Sequence, residues 1–129
     1  MQVLLDTEHP YYVLVPRKEK LCERLYRYGI YKDGYIDTDA FLYIEFREDF
    51  YYEIELKLFD FINSECHLRI TMYEEEIIEP KLIPKVISIL NKTINNTDPE
   101  DDKFYNFCTE FLQLLLYAQD NNLPIGLYF

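Results

Sequence analysis

Three successive segments in which apolar and polar residues alternate place the strongest restriction on the fold of this chain. They are FLYIEF (41–46), FYYEIELKLF (50–59) and CHLRITMY (66–73). Alternation with a period of two puts every second side chain on the same face of a β-strand. Three such strands with short connections predict an antiparallel meander that packs one face on a core and exposes polar side chains on the other.

Three other stretches show the spacing of an amphipathic helix, with apolar residues three and four positions apart. They cover residues 17–28, residues 80–94 and a segment that starts at Asp98, which is predicted to be its N-cap. The third helix should be the most deeply buried, because three phenylalanines lie on its apolar side. Residues 31–40 contain an Asp-Gly pair, so this segment is predicted to be a loop or a tight turn.

Two apolar segments are predicted to join the sheet. YYVLV (11–15) ends at Pro16, which stops a strand, and IGLYF (125–129) is best explained by insertion beside other strands. A chain of 129 residues fits one domain. We therefore predict a single α+β domain over residues 1–129, with three helices packed mainly on one face of a single, mostly antiparallel sheet in the approximate order ββαβββααβ.

The net charge of −11 is concentrated in the middle of the chain. Residues 33–79 hold fourteen acids and three bases, so this segment accounts for all of it. Nucleic acid and anionic membranes both repel a negative surface. The charge therefore predicts no direct contact with nucleic acid or membrane, and it favours a basic partner.

The cysteines and the N-terminal sequence indicate a cytoplasmic protein. Cys22, Cys66 and Cys108 are far apart and lie among apolar neighbours, which predicts buried free thiols rather than disulfides or zinc ligands. The first residues do not follow the pattern of a signal peptide, and no apolar run approaches the length of a membrane span.

No segment carries the pattern of a catalytic motif, so we predict that the protein is not an enzyme and holds no cofactor or metal. Three glycines are too few for a phosphate-binding loop, and neither His9 nor His67 has a nucleophile beside it. The glutamates between 74 and 79 form a cluster, but consecutive side chains diverge, which favours a solvated connector over a metal site. A small metal-dependent enzyme built on this cluster is the alternative hypothesis for these glutamates.

The polar faces of the predicted strands combine carboxylates with tyrosines. Tyrosine is enriched at the centres of interfaces, and carboxylates steer a basic partner from a distance. These residues and the glutamates that follow form the predicted partner-binding surface: Tyr43, Glu45, Asp49, Tyr51, Glu53, Glu55, Tyr73, Glu74, Glu75 and Glu76. The alternative is a plain solvated face, which any antiparallel sheet can have.

The layout of the chain resembles immunity proteins of bacterial contact-dependent growth inhibition and related polymorphic toxin systems. The features that carry the resemblance are the acidic, tyrosine-rich strands, a helix like PKLIPKVISILNKTI, a longer one like FCTEFLQLLLYAQDNN and a closing strand like IGLYF. They span most of the chain. The resemblance implies a stoichiometric inhibitor that binds a secreted toxin domain, often a basic nuclease.

A second hypothesis is a nucleic-acid mimic of the anti-restriction or anti-CRISPR type. Such a protein inhibits a DNA- or RNA-binding enzyme by presenting carboxylates spaced like phosphates along an elongated surface. In this sequence the acids are interleaved with aromatic residues on a compact sheet.

Overall fold

A four-stranded antiparallel sheet with helices packed on it forms the centre of the protein, as a computed structural model shows. The structure describes residues 10–27, 29–72 and 74–129. Tyr73, one of the predicted site residues, lies outside the described residues. The predicted α+β class with a mostly antiparallel sheet is confirmed.

The described part of the chain has six strands, four in the main sheet and two in a small hairpin. In chain order they are β1 (Pro10–Pro16), β2 (Tyr31–Lys32), β3 (Tyr35–Ile36), β4 (Phe41–Arg47), β5 (Glu75–Ile78) and β6 (Ile125–Tyr128). The main sheet has the order β4-β1-β6-β5, and each pairing in it is antiparallel. The predicted strands over 11–15, 41–46 and 125–129 are therefore confirmed, and the first and last of them occupy the two central positions.

Within the described residues, the helices form three long elements and one shorter one, the 3-10 helix. In chain order the structure has a 3-10 helix (Glu19–Arg27), α1 (Glu48–Ile54), α2 (Asp60–Cys66), α3 (Ile83–Asn95) and α4 (Asp102–Asn121). A π-helical turn, Glu55–Phe59, joins α1 to α2 without a break, so that residues 48–66 form one continuous helical element. A short 3-10 turn, Pro80–Leu82, leads into α3.

One face of the main sheet, the inner face, packs against α1 to α4 and forms the larger core. Val13 and Ile44 are two of the strand residues buried there. Phe129 lies among aromatic rings from three elements, with its ring centroid 5.4 Å from that of Phe46 and 5.4 Å from that of Tyr51. Large aromatic side chains contribute much of the buried area of a core, which makes this cluster a main support of the fold.

The opposite face, the outer face, is covered by the 3-10 helix and the β2–β3 hairpin. Leu25 and Ile36 from these elements form a second, smaller core with Leu14 of β1. Gly126 of β6 permits the close approach, because a Cβ atom there would lie only 2.8 Å from Leu25 Cδ2. The predicted helix over 17–28 is thus a 3-10 helix, and it lies on the other side of the sheet from α1 to α4.

The hairpin between β2 and β3 turns at the predicted Asp-Gly pair. Asp33 has a φ of 55° and Gly34 a φ of 86°, which are the two positive values that a two-residue type I′ turn requires. The prediction of a tight turn in this segment is confirmed.

The predicted strand over 50–59 is wrong, because this segment is helical. It follows β4 directly, with no Gly, Pro or Asn that could turn a hairpin. Glu48 and Asp49 instead lie in the first helical turn, where the helix dipole favours acidic side chains. The buried residues recur at helical spacing along the whole element: Phe50, Tyr51, Ile54, Leu58, Phe59 and Ile62.

The predicted strand over 66–73 is also wrong. Cys66 ends α2, and His67 follows with a φ of 57°, the left-handed conformation common just after a helix. The side chain of Asn63 takes up the backbone groups of Ile70, accepting from its N–H at 2.8 Å and donating to its C=O at 3.0 Å. The strand forms one segment later, as β5, where a solvated connector was predicted.

The last long helix begins four residues after the predicted N-cap. Asp98 instead closes a separate turn, because its Oδ1 accepts from the N–H of Glu100 at 2.9 Å. The deep burial of the helix is confirmed at its phenylalanines. Three long helical elements pack on the inner face, residues 48–66, 83–95 and 102–121. Only the last two correspond to predicted helices, so the order of elements along the chain differs from the predicted one.

Candidate partner-binding surface

The strand register places two carboxylates and two tyrosines in one row across the outer face. Glu45 of β4 pairs with Tyr12 of β1, Tyr12 pairs with Tyr128 of β6, and Tyr128 pairs with Glu75 of β5. Directly paired residues in antiparallel strands point to the same face of the sheet. The row therefore runs through all four strands, with a carboxylate on each edge strand and tyrosines between them.

Two further tyrosines extend this row towards solvent. The ring centroid of Tyr43, on β4, lies 6.0 Å from that of Tyr12, and the ring of Tyr31, from the hairpin, lies 6.5 Å from it. Tyr43 is 40% exposed and Tyr31 is 46% exposed, whereas Tyr12 is buried between them. We call the six residues the outer tyrosine surface: Tyr12, Tyr31, Tyr43, Tyr128, Glu45 and Glu75.

The surroundings raise the pKa of two phenol groups of this surface, those of Tyr12 and Tyr31. Burial, followed by the charge of Glu45 and the neighbouring phenols, raises the pKa of Tyr12 to about 12. Burial and then the charge of Glu75 raise the pKa of Tyr31 above its ordinary value. A neutral phenol has one donor and can also accept, so the exposed Tyr31 can form hydrogen bonds with a partner at physiological pH.

The two carboxylates of the row have different local partners. Glu45 forms a salt bridge of 3.0 Å with Arg47, two positions along the same strand. No described cation lies within salt-bridge distance of Glu75, and loss of solvation raises the pKa of its carboxyl group. Of the two carboxylates in the row, Glu75 is therefore the one without a described salt-bridge partner.

The predicted site residues between 49 and 55 do not join this surface, because they lie on α1 and the π turn. Asp49 is exposed. Tyr51 is 0% exposed and packs in the inner core, where its hydroxyl donates to Glu55 Oε2 at 3.3 Å. Glu53 binds Lys57 Nζ at 2.7 Å. The prediction that these four residues share a polar sheet face with Tyr43 and Glu45 is wrong.

The glutamates that precede α3 diverge, as their consecutive positions require. Glu74 is exposed just before β5, and Glu75 belongs to the outer tyrosine surface. Glu76 points to the other side of the strand, where its Oε2 accepts from the N–H of Arg69 at 2.9 Å. Within the described ranges, no three His, Cys, Asp or Glu side chains are placed to hold a metal ion together.

Sequence reasoning missed Tyr12, Tyr31 and Tyr128. Tyr12 lies in an apolar run that gives no polar alternation, and Tyr128 belongs to a strand predicted only as an insertion into the sheet. Tyr31 comes from the segment predicted as a loop or turn. Their grouping depends on strand order and register, which bring positions 12, 45, 75 and 128 together and which no local pattern specifies.

The three cysteines are all free, as predicted. Cys66 and Cys108 are buried and Cys22 is half-buried. Burial raises the pKa of the Cys108 thiol to about 12 and also raises the pKa values of the other two thiols. All three are therefore poor nucleophiles at neutral pH, since the thiolate is the reactive form.

Comparison of the chain with protein-family models, with curated proteins and with solved structures finds no match. Within the described residues, no helix combines the length and the apolar character needed to cross a bilayer.

Proposed function

We propose that this protein is an immunity protein, a non-enzymatic inhibitor that binds a basic toxin domain in the bacterial cytoplasm through the outer tyrosine surface. The observation that carries the proposal is the register that aligns Glu45, Tyr12, Tyr128 and Glu75 across the sheet. The exposed rings of Tyr31 and Tyr43 both contact Tyr12 in this row.

The composition of the surface suits a tight protein contact. Tyrosine buries a large area at small entropic cost and carries a polar tip, which makes it frequent among the residues that dominate binding energy. Its scaffold is a sheet whose central strands are buried on both faces, so the side chains are held in place before a partner arrives. A preorganised surface loses less entropy on binding.

The charge of the molecule supports the choice of a basic partner. A net charge of −11 attracts a cationic domain over a distance of several ångströms and speeds its association. Glu75 then offers a carboxylate without a described salt-bridge partner at one end of the row, and Glu45, which is paired with Arg47, offers a second carboxylate at the other end. Lysine or arginine side chains of the partner would form salt bridges with these two carboxylates.

The surface does not favour nucleic-acid mimicry. Glu45 and Glu75 lie three strand spacings apart, about 14 Å, with aromatic rings between them. Each strand of B-DNA carries a charge about every 3.4 Å along its axis. Two carboxylates at this separation reproduce neither the density nor the repeat of phosphates.

The proposal predicts that the gene immediately upstream encodes a toxic C-terminal domain, and co-expression with that domain is the experiment that tests it. The chain should restore growth and form a 1:1 complex in calorimetry with the purified domain. The double variant Tyr31→Ala with Tyr43→Ala should lose protection and weaken binding by about a hundredfold, since tyrosines at interface centres contribute heavily.

Tyr35 provides the matched control, because it is a tyrosine of the same hairpin that is 79% exposed and alternates in direction with Tyr31. Tyr35→Ala should protect as well as the wild type, and circular dichroism should show all variants folded. Full protection by the double variant would overturn the site, and absence of any complex with the domain would overturn the function.

A further inference from the structure

A second surface feature lies on the helical side of the molecule, away from the outer tyrosine surface. It is a groove of about 760 Å³ between the helical element 48–66 on one side and the C-terminal part of α3 with the loop after it on the other. Its apolar lining consists of Leu56, Phe61, Ile89 and Phe104. We call this feature the helix groove.

The apolar walls of the groove are largely open to solvent. Leu56 is 70% exposed and Phe61 is 56% exposed, although both are large apolar residues, while Phe104 beneath them is buried. Apolar side chains that project together from a surface mark contact with another molecule. A small ligand would sit between recessed side chains, whereas projecting ones suit a macromolecular partner.

The π turn is what brings the two projecting side chains together. In a regular α-helix, Leu56 and Phe61, five positions apart, would differ in direction by about 140°. The turn Glu55–Phe59 contains an extra residue, which reduces this angle and directs both side chains into one groove. Such insertions are frequent at functional sites, because they re-aim side chains at a cost in helix regularity.

The charges around the groove are mainly negative. Lys57 is already held by two carboxylates, Glu53 at 2.7 Å and Asp101 at 2.9 Å. Of the other ionisable lining residues, Glu65 and Asp98 are acidic and Lys92 is the one base. The exposed residues next to the lining in sequence include three acids, at positions 60, 100 and 102, and one base, Lys103.

We propose that the helix groove binds an amphipathic helix of a partner protein, one with apolar side chains along one face and lysine or arginine at its margins. Apolar anchors at positions i, i+3 or i+4, and i+7 enter a groove between two helices in this mode of recognition. Basic margins complement Glu65 and Asp98. The inference is independent of the proposed function, because the groove and the outer tyrosine surface lie on opposite sides of the sheet.

The test uses a fluorescein-labelled peptide of about fourteen residues, with leucines at i, i+3, i+4 and i+7 and lysines at its margins, titrated by fluorescence anisotropy. The full-length wild type should bind it saturably. A peptide with glutamate in place of each lysine, and one of the same composition in shuffled order, should both bind at least about tenfold more weakly.

Leu56→Ser combined with Phe61→Ser should weaken binding of the peptide by about tenfold or more, because it removes both apolar anchors. Leu116→Ser is the matched control, since Leu116 is an exposed leucine of α4 that does not line the groove. Both substituted positions are exposed, and circular dichroism reports whether the fold is kept. Equal binding by the double variant and the control would overturn the site.

Two other results would overturn the choice of occupant. Equal affinity for the lysine and glutamate peptides would show that charge does not select the ligand. A wild type that sediments as a dimer, and becomes monomeric with Leu56→Ser and Phe61→Ser, would identify a second copy of this chain as the occupant.

Discussion

At the scale of single residues, the ion pair between Arg24 and Asp37 links the 3-10 helix to the turn that precedes β4. Arg24 Nη1 donates to Asp37 Oδ2 at 2.9 Å, and the N–H of Asp39 donates to Oδ1 at 3.1 Å. The hydrogen bond from Arg24 is the main reason that the pKa of the buried Asp37 carboxyl is lowered. A carboxyl group with a lowered folded-state pKa stabilises the protein above its unfolded pKa, about 3.9 for Asp.

We therefore predict that Asp37→Asn unfolds at lower denaturant concentration than the wild type at pH 7. The difference should shrink as the pH falls through the pKa of Asp37 in the folded state, because the wild type then loses the same charge. Urea titrations at a series of pH values measure this. Asp39→Asn, at an exposed position, is the control, and a difference that persists unchanged in acid would contradict the assignment.

The pKa of the Glu75 carboxyl group is shifted in the opposite direction to that of Asp37, and Glu75 also belongs to the proposed binding surface. Loss of solvation raises the pKa of its carboxyl group, so the charged form costs folding free energy above the unfolded pKa of about 4.3. Glu75→Gln should raise the thermal midpoint at pH 7, and the gain should vanish as the pH falls towards that value. If Glu75→Gln lowered the midpoint at pH 7, the carboxylate would be a structural group instead of a binding group.

The residue pattern identified three members of the outer tyrosine surface, Tyr43, Glu45 and Glu75, and missed the tyrosines between them. Polar residues on an edge strand are visible in a sequence because they interrupt an apolar pattern. Tyr12 and Tyr128 lie on central strands that are apolar on both faces, so nothing in their neighbourhood distinguishes them from core residues.

At the scale of elements, the segment 50–59 shows how a period of two can mislead. Its sequence fits a strand by alternation and a helix by the spacing of the residues that become buried. The connection decides between them, because β4 runs into this segment without a Gly, Pro or Asn, and two acids lie in the first helical turn. The lack of Gly, Pro or Asn between residues 46 and 50 argued against a hairpin, and it could have identified the helix.

The 3-10 helix depends on a glycine in the strand beneath it. A Cβ atom at Gly126 would lie 2.8 Å from Leu25 Cδ2 and 3.0 Å from the ring of Tyr128. Since Leu25 is fully buried and cannot move freely, Gly126→Ala should destabilise the protein by about 1–3 kcal/mol. Chemical denaturation measures the change.

The double variant Gly126→Ala with Leu25→Ala supplies a control for this prediction. Leu25→Ala opens space for the new methyl group, so the two substitutions together should cost less than the sum of their separate effects. Strict additivity would contradict a direct clash between the two side chains.

At the scale of the whole molecule, folding separates acids that are close in sequence. Glu45 and Glu75 reach the outer face, Glu53 is paired with Lys57, and Glu55 accepts from a buried tyrosine. The total charge was readable from composition, and it is the reason that a basic partner is proposed. The place where that charge meets exposed aromatic rings required the topology of the sheet.

The central claim is that the outer tyrosine surface receives a basic toxin domain, and the association rate tests it most directly. Stopped-flow measurements with the purified domain at low salt would compare wild type with Glu45→Gln plus Glu75→Gln. The control variant, Glu110→Gln plus Asp120→Asn, removes the same charge at two exposed acids of α4.

We predict that the association rate of Glu45→Gln plus Glu75→Gln is about tenfold lower than that of the wild type, and that the two rates converge at high salt. The control variant should associate at nearly the wild-type rate. Equal rates for the two variants, or a loss seen only with Glu53→Gln plus Glu55→Gln, would contradict it.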